Sequence, residues 1–277
     1  MHILLTGASG FIGQTLMQAL QAQGHTVKPI ARRYGYDFNQ LTTADAWLPL
    51  LDSIDGVINS VGIIGQTRTQ SFQVLHTQAP IALFKACEQL NIGKVIQISA
   101  LGADSAARSA YHLSKRQTDD FLRASILNAA ILRPSLVYGD KGDSTQLFKR
   151  LARLPIVGLL GKGDQIIRPV HINDLVATVI KALNTPPQPM TLDVVGRQEF
   201  AFRAWLQFLR RLQGITQPLR TFSVPIPLAL AGAQLGQFAS PLLHPDSIHM
   251  LLRGNSAEVQ PLTAFLGREP LDWETLL

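Results

Sequence analysis

The chain is expected to fold as an α/β protein on a doubly wound parallel sheet, with a smaller, mostly helical lobe toward its C-terminal end. Three observations lead there. Short apolar, β-branched runs alternate with amphipathic stretches through the first half of the chain. The first run breaks into glycines at Gly7, Gly10 and Gly13 and passes at once into a helical pattern. The runs are apolar at nearly every position, as strands covered on both faces require.

Ile3–Leu5 opens the sheet, and a helix follows from Gln14 to Gln23. Strand, glycine turn and helix in this order set backbone N–H groups and a helix N-terminus against a pyrophosphate. Gly7 suits the tight turn, Gly10 the approach of backbone to phosphate, and Gly13 the close packing of helix on strand. The spacing is G-x-x-G-x-x-G, not the commoner G-x-G-x-x-G. Thr26–Ala31 reads as the second strand. Gly56–Val61 reads as a buried third, with Asn59, Ser60, Val61 and Gly62 at its ligand-facing end. Lys94–Ile98 and Ala130–Leu132 continue the sheet, the latter running into Arg133-Pro134. Helices are expected near Phe72–Leu90 and Tyr111–Leu127. Crossovers in such sheets are right-handed, and ligands lie beyond the carboxyl ends of the strands.

The second half is less regular. Leu154–Gly163 reads as an apolar loop, and Pro169–Leu175 as a short strand entering a helix capped by Asn173 or Asp174. Thr185–Met190 is a linker, Thr191–Val195 a strand and Phe200–Leu212 a helix. The expected division is a dinucleotide-binding domain from 1–139 and 168–196, and a substrate or partner lobe from 140–167 and 197–277. Thr221–Leu243 holds no charged residue, but Pro225, Pro227 and Pro241 break it. It reads as a buried or lid-like helix, with a membrane- or protein-facing surface as the alternative.

The composition narrows the function. With 277 residues, 46% hydrophobic and 16% charged, the chain is globular rather than disordered. Its one cysteine, Cys87, excludes an internal disulfide, reads as a packed residue and suits a reducing, cytoplasmic compartment. No His, Cys or carboxylate cluster has metal-ligand spacing, so no metal is expected. The net charge is +6, yet the basic residues are scattered and their densest cluster is Arg32-Arg33. That argues against nucleic acid and suits an anionic cofactor. Apart from His2 and His25, no ionisable side chain precedes Lys28, but the apolar run is too short and too glycine-rich for a secretion signal. It is read as the first strand and helix of the fold.

A unit of this kind usually ends its second strand in Asp or Glu, which holds the ribose hydroxyls of NAD. Here Ala31 is followed by Arg32 and Arg33. No carboxylate repels a 2′-phosphate, and two guanidinium groups can pair with one. NADP is therefore the expected cofactor, with NAD as the alternative. Asp37 and Phe38 suit the adenine, one for its amine and one for its face.

Tyr111-His-Leu-Ser-Lys115 puts a phenol and an ammonium one helical turn apart. A phenol titrates near pH ~10 and is a poor base at neutrality. A nearby ammonium favours the phenolate, and the phenol then exchanges a proton with a carbinol oxygen while a nicotinamide moves a hydride.

These residues occur in order with Thr6-Gly-Ala-Ser-Gly-Phe-Ile-Gly13, Ser99-Ala-Leu-Gly102, Arg133-Pro-Ser-Leu-Val-Tyr-Gly139 and Pro169-Val-His-Ile-Asn-Asp174. The set resembles the short-chain dehydrogenase/reductase superfamily, in its extended or atypical branch. Within it, the chain is similar to the group holding the NADPH-binding accessory subunit of respiratory complex I and the NAD-dependent epimerase/dehydratase-like proteins. The resemblance covers about residues 1–200. It implies a Rossmann-type fold, with cofactor contacts from Thr6, Gly7, Ser9, Gly10, Phe11, Ile12 and Gly13. Pro134 and Val137 would lie along the nicotinamide. Tyr111 would be the general acid/base, Lys115 its partner on the cofactor ribose, and His171 and Asp174 structural residues. One departure stands out. The family places Ser or Thr where Ala100 aligns, to hold the substrate carbonyl, so Ser99 or Ser109 would have to supply that hydroxyl.

The resulting expectation is an NADP-dependent oxidoreductase of a small organic substrate. A non-catalytic NADPH-binding accessory, assembly or sensing protein is the alternative, and an epimerase or dehydratase a lesser one. Among neighbouring residues, His112 is expected at the surface and Asp119-Asp120 on a solvated face, while a substrate contact from Asp104 in the short loop is the lesser alternative for that residue. The expected location is cytoplasmic, or peripheral to the inner face of a membrane.

Overall fold

The computed structural model describes residues 1–236 and 245–273. The chain divides into two compact units, Met1–Pro134 with Leu175–Val194, and Ser135–Asp174 with Val195–Leu277. The boundaries anticipated after 139, 167 and 196 fall after 134, 174 and 194.

The first unit opens with β1 (His2–Thr6), α1 (Phe11–Ala22), β2 (Thr26–Ile30), the short α2 (Ala44–Trp47) and β3 (Gly56–Asn59). It continues through α3 (Ala79–Gln89), β4 (Lys94–Ile98), α4 (Ala110–Ala124) and β5 (Ala129–Pro134). Six parallel strands form its sheet in the order β10-β5-β4-β3-β1-β2, where β10 is Met190–Val194. The order reverses at β1, and the carboxyl ends of β1 and β3 meet where Thr6 pairs with Asn59. That is the switch point at which open α/β sheets bind ligands. The central strands are apolar because both faces are covered: Leu4, Val57, Val95 and Ile131 pack with Trp47, Leu83 and Phe84 on one side. Pro29 is tolerated in β2 because that strand lies at the edge. Cys87 is fully buried, and burial pushes its thiol up to about 12, which leaves it an inert packing residue.

Several boundaries moved, most by one to three residues at an end. Helix α1 starts at Phe11, directly on the glycine turn, rather than at Gln14. Strand β3 ends at Asn59, so Ser60, Val61 and Gly62 form the loop beyond it. The expected helix over Phe72–Leu90 is two pieces, a stretch of π-helix at Gln73–Gln78 leading into α3.

The second unit holds β6 (Val137–Tyr138), α5 (Asp143–Arg153), β7 (Ile156–Leu160), β8 (Ile166–Ile167) and β9 (Val170–His171). Helix α6 (Ile172–Asn184) returns the chain to the first unit. Then come β11 (Phe200–Ala201), α7 (Phe202–Leu212), β12 (Arg220–Val224), α8 (Ile226–Gly236), α9 (Pro245–Arg253) and α10 (Gln260–Leu266). Three two-stranded ribbons, β6–β9, β8–β11 and β7–β12, accompany these helices. The segment read as a loop at Leu154–Gly163 contains β7, because its parallel partner β12 lies far along the chain and leaves no local signal. Asn173 and Asp174 sit inside the first turn of α6 rather than capping it. The Asp174 carboxylate instead accepts from the Leu271 amide at 2.8 Å and pairs with Arg268 at 2.8 Å. The uncharged segment is not buried. From Thr221 to Gln234 only Ala233 is buried, because Trp205, Leu206, Leu209 and Trp273 fill this core without it. The remainder of that segment, 237–243, lies outside the described residues.

Candidate active site

The glycine turn joins β1 to α1 at the switch point. Gly7 has φ +66°, and a Cβ on it would lie 2.7 Å from the Ser60 carbonyl oxygen. A Cβ on Gly13 would lie 2.2 Å from the Gly7 carbonyl oxygen. Both glycines are thus required by the protein's own backbone. Gly10 differs: it is exposed, and an added Cβ would meet only the Gly7 oxygen, at 3.3 Å. Helix α1 has no side-chain cap and no acidic residue in its first turn. The N–H groups of Phe11, Ile12 and Gly13 therefore remain for an external anion. A dinucleotide diphosphate fits this cradle. Ser9 lies half-buried in the turn, its carbonyl held by Gln14 at 2.7 Å.

Beneath the turn runs a buried polar ladder. The Thr6 hydroxyl donates to Asn59, and the Asn59 amide donates to Gln97 at 2.6 Å. Thr6, Asn59 and Gln97 are fully buried, so the first two tie strand ends together rather than reaching a ligand with their side chains. Ser60 likewise spends its hydroxyl on the Thr6 carbonyl, at 2.6 Å. Arg32 and Arg33 follow β2 in a single exposed turn, and neither pairs with a carboxylate among the described residues. Asp37 caps the next turn through the Asn39 amide at 3.0 Å. The Phe38 ring is turned into the core, edge-on to Trp47 at 5.6 Å, so it does not offer the expected face to a base.

Helix α4 carries the tyrosine and lysine. Lys115 is buried and donates to the carbonyls of Val61 at 3.0 Å and Ile98 at 3.2 Å. It thereby clamps the loop after β3 to the end of β4, beside Gly62. Burial lowers its ammonium to about 8, against the opposing pull of Asp119. Tyr111 is half-buried, and its hydroxyl has no hydrogen-bond partner among the described residues. Desolvation and then the Asp119 charge push the phenol up to about 12. The expected lowering by Lys115 is absent because an ammonium lowered to about 8 has lost its charge before a phenol raised to about 12 ionises.

Both candidate hydroxyls are buried and engaged within the fold. Ser99 is buried and donates to the Asp119 carboxylate at 2.5 Å. Ser109 caps α4, accepting from the His112 amide at 3.2 Å. The position of Ala100 therefore stays without a hydroxyl. Pro134, at the end of β5, accepts from the Leu101 amide at 2.8 Å. Val137 belongs to the second unit, where it pairs with Val170.

Two expectations fail and one residue was missed. His112 is buried, not surface, and its ring abuts Gly102, where a Cβ would lie 2.8 Å from Nε2. Asp119 is fully buried while Asp120 is exposed. Its i+4 relation to Lys115 was the available clue that it shares the lysine's face. Burial raises its carboxyl to about 6, opposed by Ser99 and Lys115. The missed residue is His76, on the π-helical stretch. Its Nε2 accepts from the Ile63 amide at 3.0 Å, and its Nδ1 lies 2.9 Å from the Ser114 hydroxyl. The ring stacks on Phe72 and meets Tyr111 edge-on at 5.4 Å. Nothing in the local sequence marks a single histidine in an apolar helix as such a hub.

An uncapped glycine turn at a sheet switch point, with a tyrosine–lysine pair on a later helix, defines a Rossmann-type dinucleotide-binding protein. The model of the NAD dependent epimerase/dehydratase family matches residues 3–194, and the chain belongs to that family. It is 27% identical over 196 residues to a protein named ceramide reductase from Caulobacter vibrioides, covering 66% of this chain and 61% of that one. It is also 27% identical over 246 residues to the mouse (Mus musculus) mitochondrial NADH dehydrogenase [ubiquinone] 1 alpha subcomplex subunit 9, covering 81% and 63%. The chain thus spans somewhat under two thirds of both relatives. Its fold matches the UDP-glucuronic acid 4-epimerase of Bacillus cereus, solved with UDP-glucuronic acid and NAD, at a TM-score of 0.73 and 19% identity, covering 100% and 96%.

Proposed function

We propose that this chain is an NADP-dependent oxidoreductase that reduces a carbonyl of an organic substrate. The observation that carries this reading is the Tyr111 hydroxyl, left without a partner one helical turn from the buried Lys115. When bound, NADPH supplies the hydride. A phenol raised to about 12 is protonated at neutral pH, so Tyr111 is poised to give its proton to the carbonyl oxygen. The reductive direction is favoured for the same reason. Lys115, at about 8, stays mostly charged at neutrality and holds the cofactor-side loops. Arg32 and Arg33, exposed and unopposed after β2, support NADP over NAD.

A second reading is favoured by one observation: the hydroxyls of Ser99 and Ser109 are both engaged, so no side chain replaces the missing donor at Ala100. In that case the unit binds NADPH as an accessory or assembly protein, a reading that the mouse relative's name, as a subunit of an NADH dehydrogenase subcomplex, supports. The experiment is NADPH titration followed by turnover against a panel of carbonyls, including long-chain lipid ketones and nucleotide sugars. The oxidoreductase reading expects turnover that Tyr111→Phe abolishes with NADPH affinity intact. It also expects Arg32→Ser to weaken NADPH about 10- to 100-fold and leave NADH unchanged. Tight NADPH binding with no turnover across the panel supports the accessory reading instead.

A further inference from the structure

We infer that the β7–β12 ribbon and helix α8 form a lipid-docking face that seats the chain peripherally on an anionic membrane surface. The inference concerns the second unit alone and does not depend on the proposed chemistry.

Helix α8 is apolar around its whole circumference, with Gln234 its only polar side chain. Such a helix is ordinarily buried. Here it lies on the surface, with Ile226 42% and Leu228 64% exposed. The ribbon leading into it extends the same character. Paired residues of a ladder share a face, and Arg220 pairs with Ile156 while Phe222 pairs with Gly158. Ile156 and Phe222 are 51% and 57% exposed. Leu154, also exposed, adjoins them in the chain.

The charges at the border identify the occupant. Arg153, next to Leu154, and Arg220, at the start of β12, are exposed and pair with no carboxylate among the described residues. No acidic residue occurs from Thr221 to Leu243, and the whole chain carries +6. Large apolar side chains beside unopposed arginines match acyl chains beneath anionic headgroups. On the ladder face that Ile156 and Phe222 share, the one charged side chain is the cation of Arg220. No helix among the described residues is long and apolar enough to cross a membrane, so α8 would lie in the interface plane.

The test is co-sedimentation of the full chain with vesicles of phosphatidylcholine, with and without phosphatidylglycerol. The protein is expected to pellet with the anionic vesicles and to be released by salt. Phe222→Ser and Leu228→Ser should each lower partitioning about tenfold. Arg153→Glu with Arg220→Glu should weaken binding to anionic vesicles. Ile126→Ser, at a 79% exposed apolar site in the other unit, should change nothing. Unaltered thermal midpoints establish that the variants are folded. The inference is overturned if the protein stays in the supernatant with both vesicle types, or if Ile126→Ser weakens binding as much as the others. It is equally overturned if the protein is an oligomer that Phe222→Ser or Leu228→Ser dissociates, which would make a second copy the occupant.

Discussion

Ser99 and Asp119 are joined by a 2.5 Å hydrogen bond from the serine hydroxyl to the carboxylate, both groups buried beneath the candidate site. That contact engages the Ser99 hydroxyl and makes it the support of a buried charge. The other carboxylate oxygen of Asp119 already lacks a partner. Ser99→Ala should therefore cost about 1–3 kcal/mol of stability, since it leaves the carboxylate without its one donor. A serine that held the substrate carbonyl would behave differently, costing about a hundredfold or more in kcat with little loss of stability. Urea unfolding and kcat, measured on the same variant, separate the two roles.

Asp119 and Lys115 also set opposite pH trends. Asp119 is raised from 3.8 to about 6, so between those values the folded state holds a proton the unfolded chain has released. Its contribution is present below 3.8 and lost as pH rises through about 6. Lys115 is lowered from 10.5 to about 8, so its contribution is present above 10.5 and lost as pH falls through about 8. Each amounts to something on the order of 2–3 kcal/mol. Asp119→Asn should abolish the acidic limb of the difference, which urea midpoints of wild type and variant across pH 3.8 to 6 will show.

The two tight glycines and the loose one predict different losses. Gly13→Ala pushes a methyl to 2.2 Å from the Gly7 oxygen, so helix α1 must shift on β1. The expected cost is about 1–3 kcal/mol or more. Gly10→Ala meets only one atom at 3.3 Å, and its stability should change by less than about 1 kcal/mol. Its methyl would instead stand where a diphosphate approaches, so NADPH affinity should fall about tenfold or more. Thermal midpoints with and without NADPH distinguish the two. A Gly10→Ala variant with full affinity would remove the diphosphate from this turn.

The legibility of the site follows the range of the interactions that make it. Lys94–Ile98, Thr26–Ile30 and the Tyr111/Lys115 helix were readable because apolar runs and an i,i+4 spacing are local patterns. β7 was not, since its ladder partner among the described residues is β12, some sixty residues on. Phe38 was misread for a related reason. An exposed turn placed it next to Asp37, but Trp47 drew the ring into the core. Asp119 and Asp120 are chemically identical neighbours, and only the helical phase relative to Lys115 separates the buried one from the solvated one. The exposure of α8 was hidden because an uncharged run reads as core whether or not anything covers it.

His76 couples the cofactor-side loop to the tyrosine helix, and its chemistry is tightly constrained. Nε2 accepts from the Ile63 amide, so the ring proton sits on Nδ1 and points to the Ser114 hydroxyl, which in turn donates to the Tyr111 carbonyl at 2.8 Å. The Thr118 hydroxyl holds the His76 carbonyl from the same helix. Burial, and then the Lys115 charge, hold the imidazole well below its ordinary range, so it stays neutral through the working pH. His76→Leu keeps the volume but orphans the Ile63 N–H and removes the ring proton that the Ser114 hydroxyl accepts, leaving that hydroxyl only its bond to the Tyr111 carbonyl. It should cost about 2–3 kcal/mol and weaken NADPH about tenfold, because the loop after β3 loses its anchor. The pH dependence carries a second signature. A depressed histidine contributes stability above its unfolded value, near 6.5, and loses it as pH falls below that. Wild type should therefore lose stability below that value more steeply than His76→Leu. Parallel unfolding curves above and below pH 6.5 would show instead that His76 is charged or solvated in the fold.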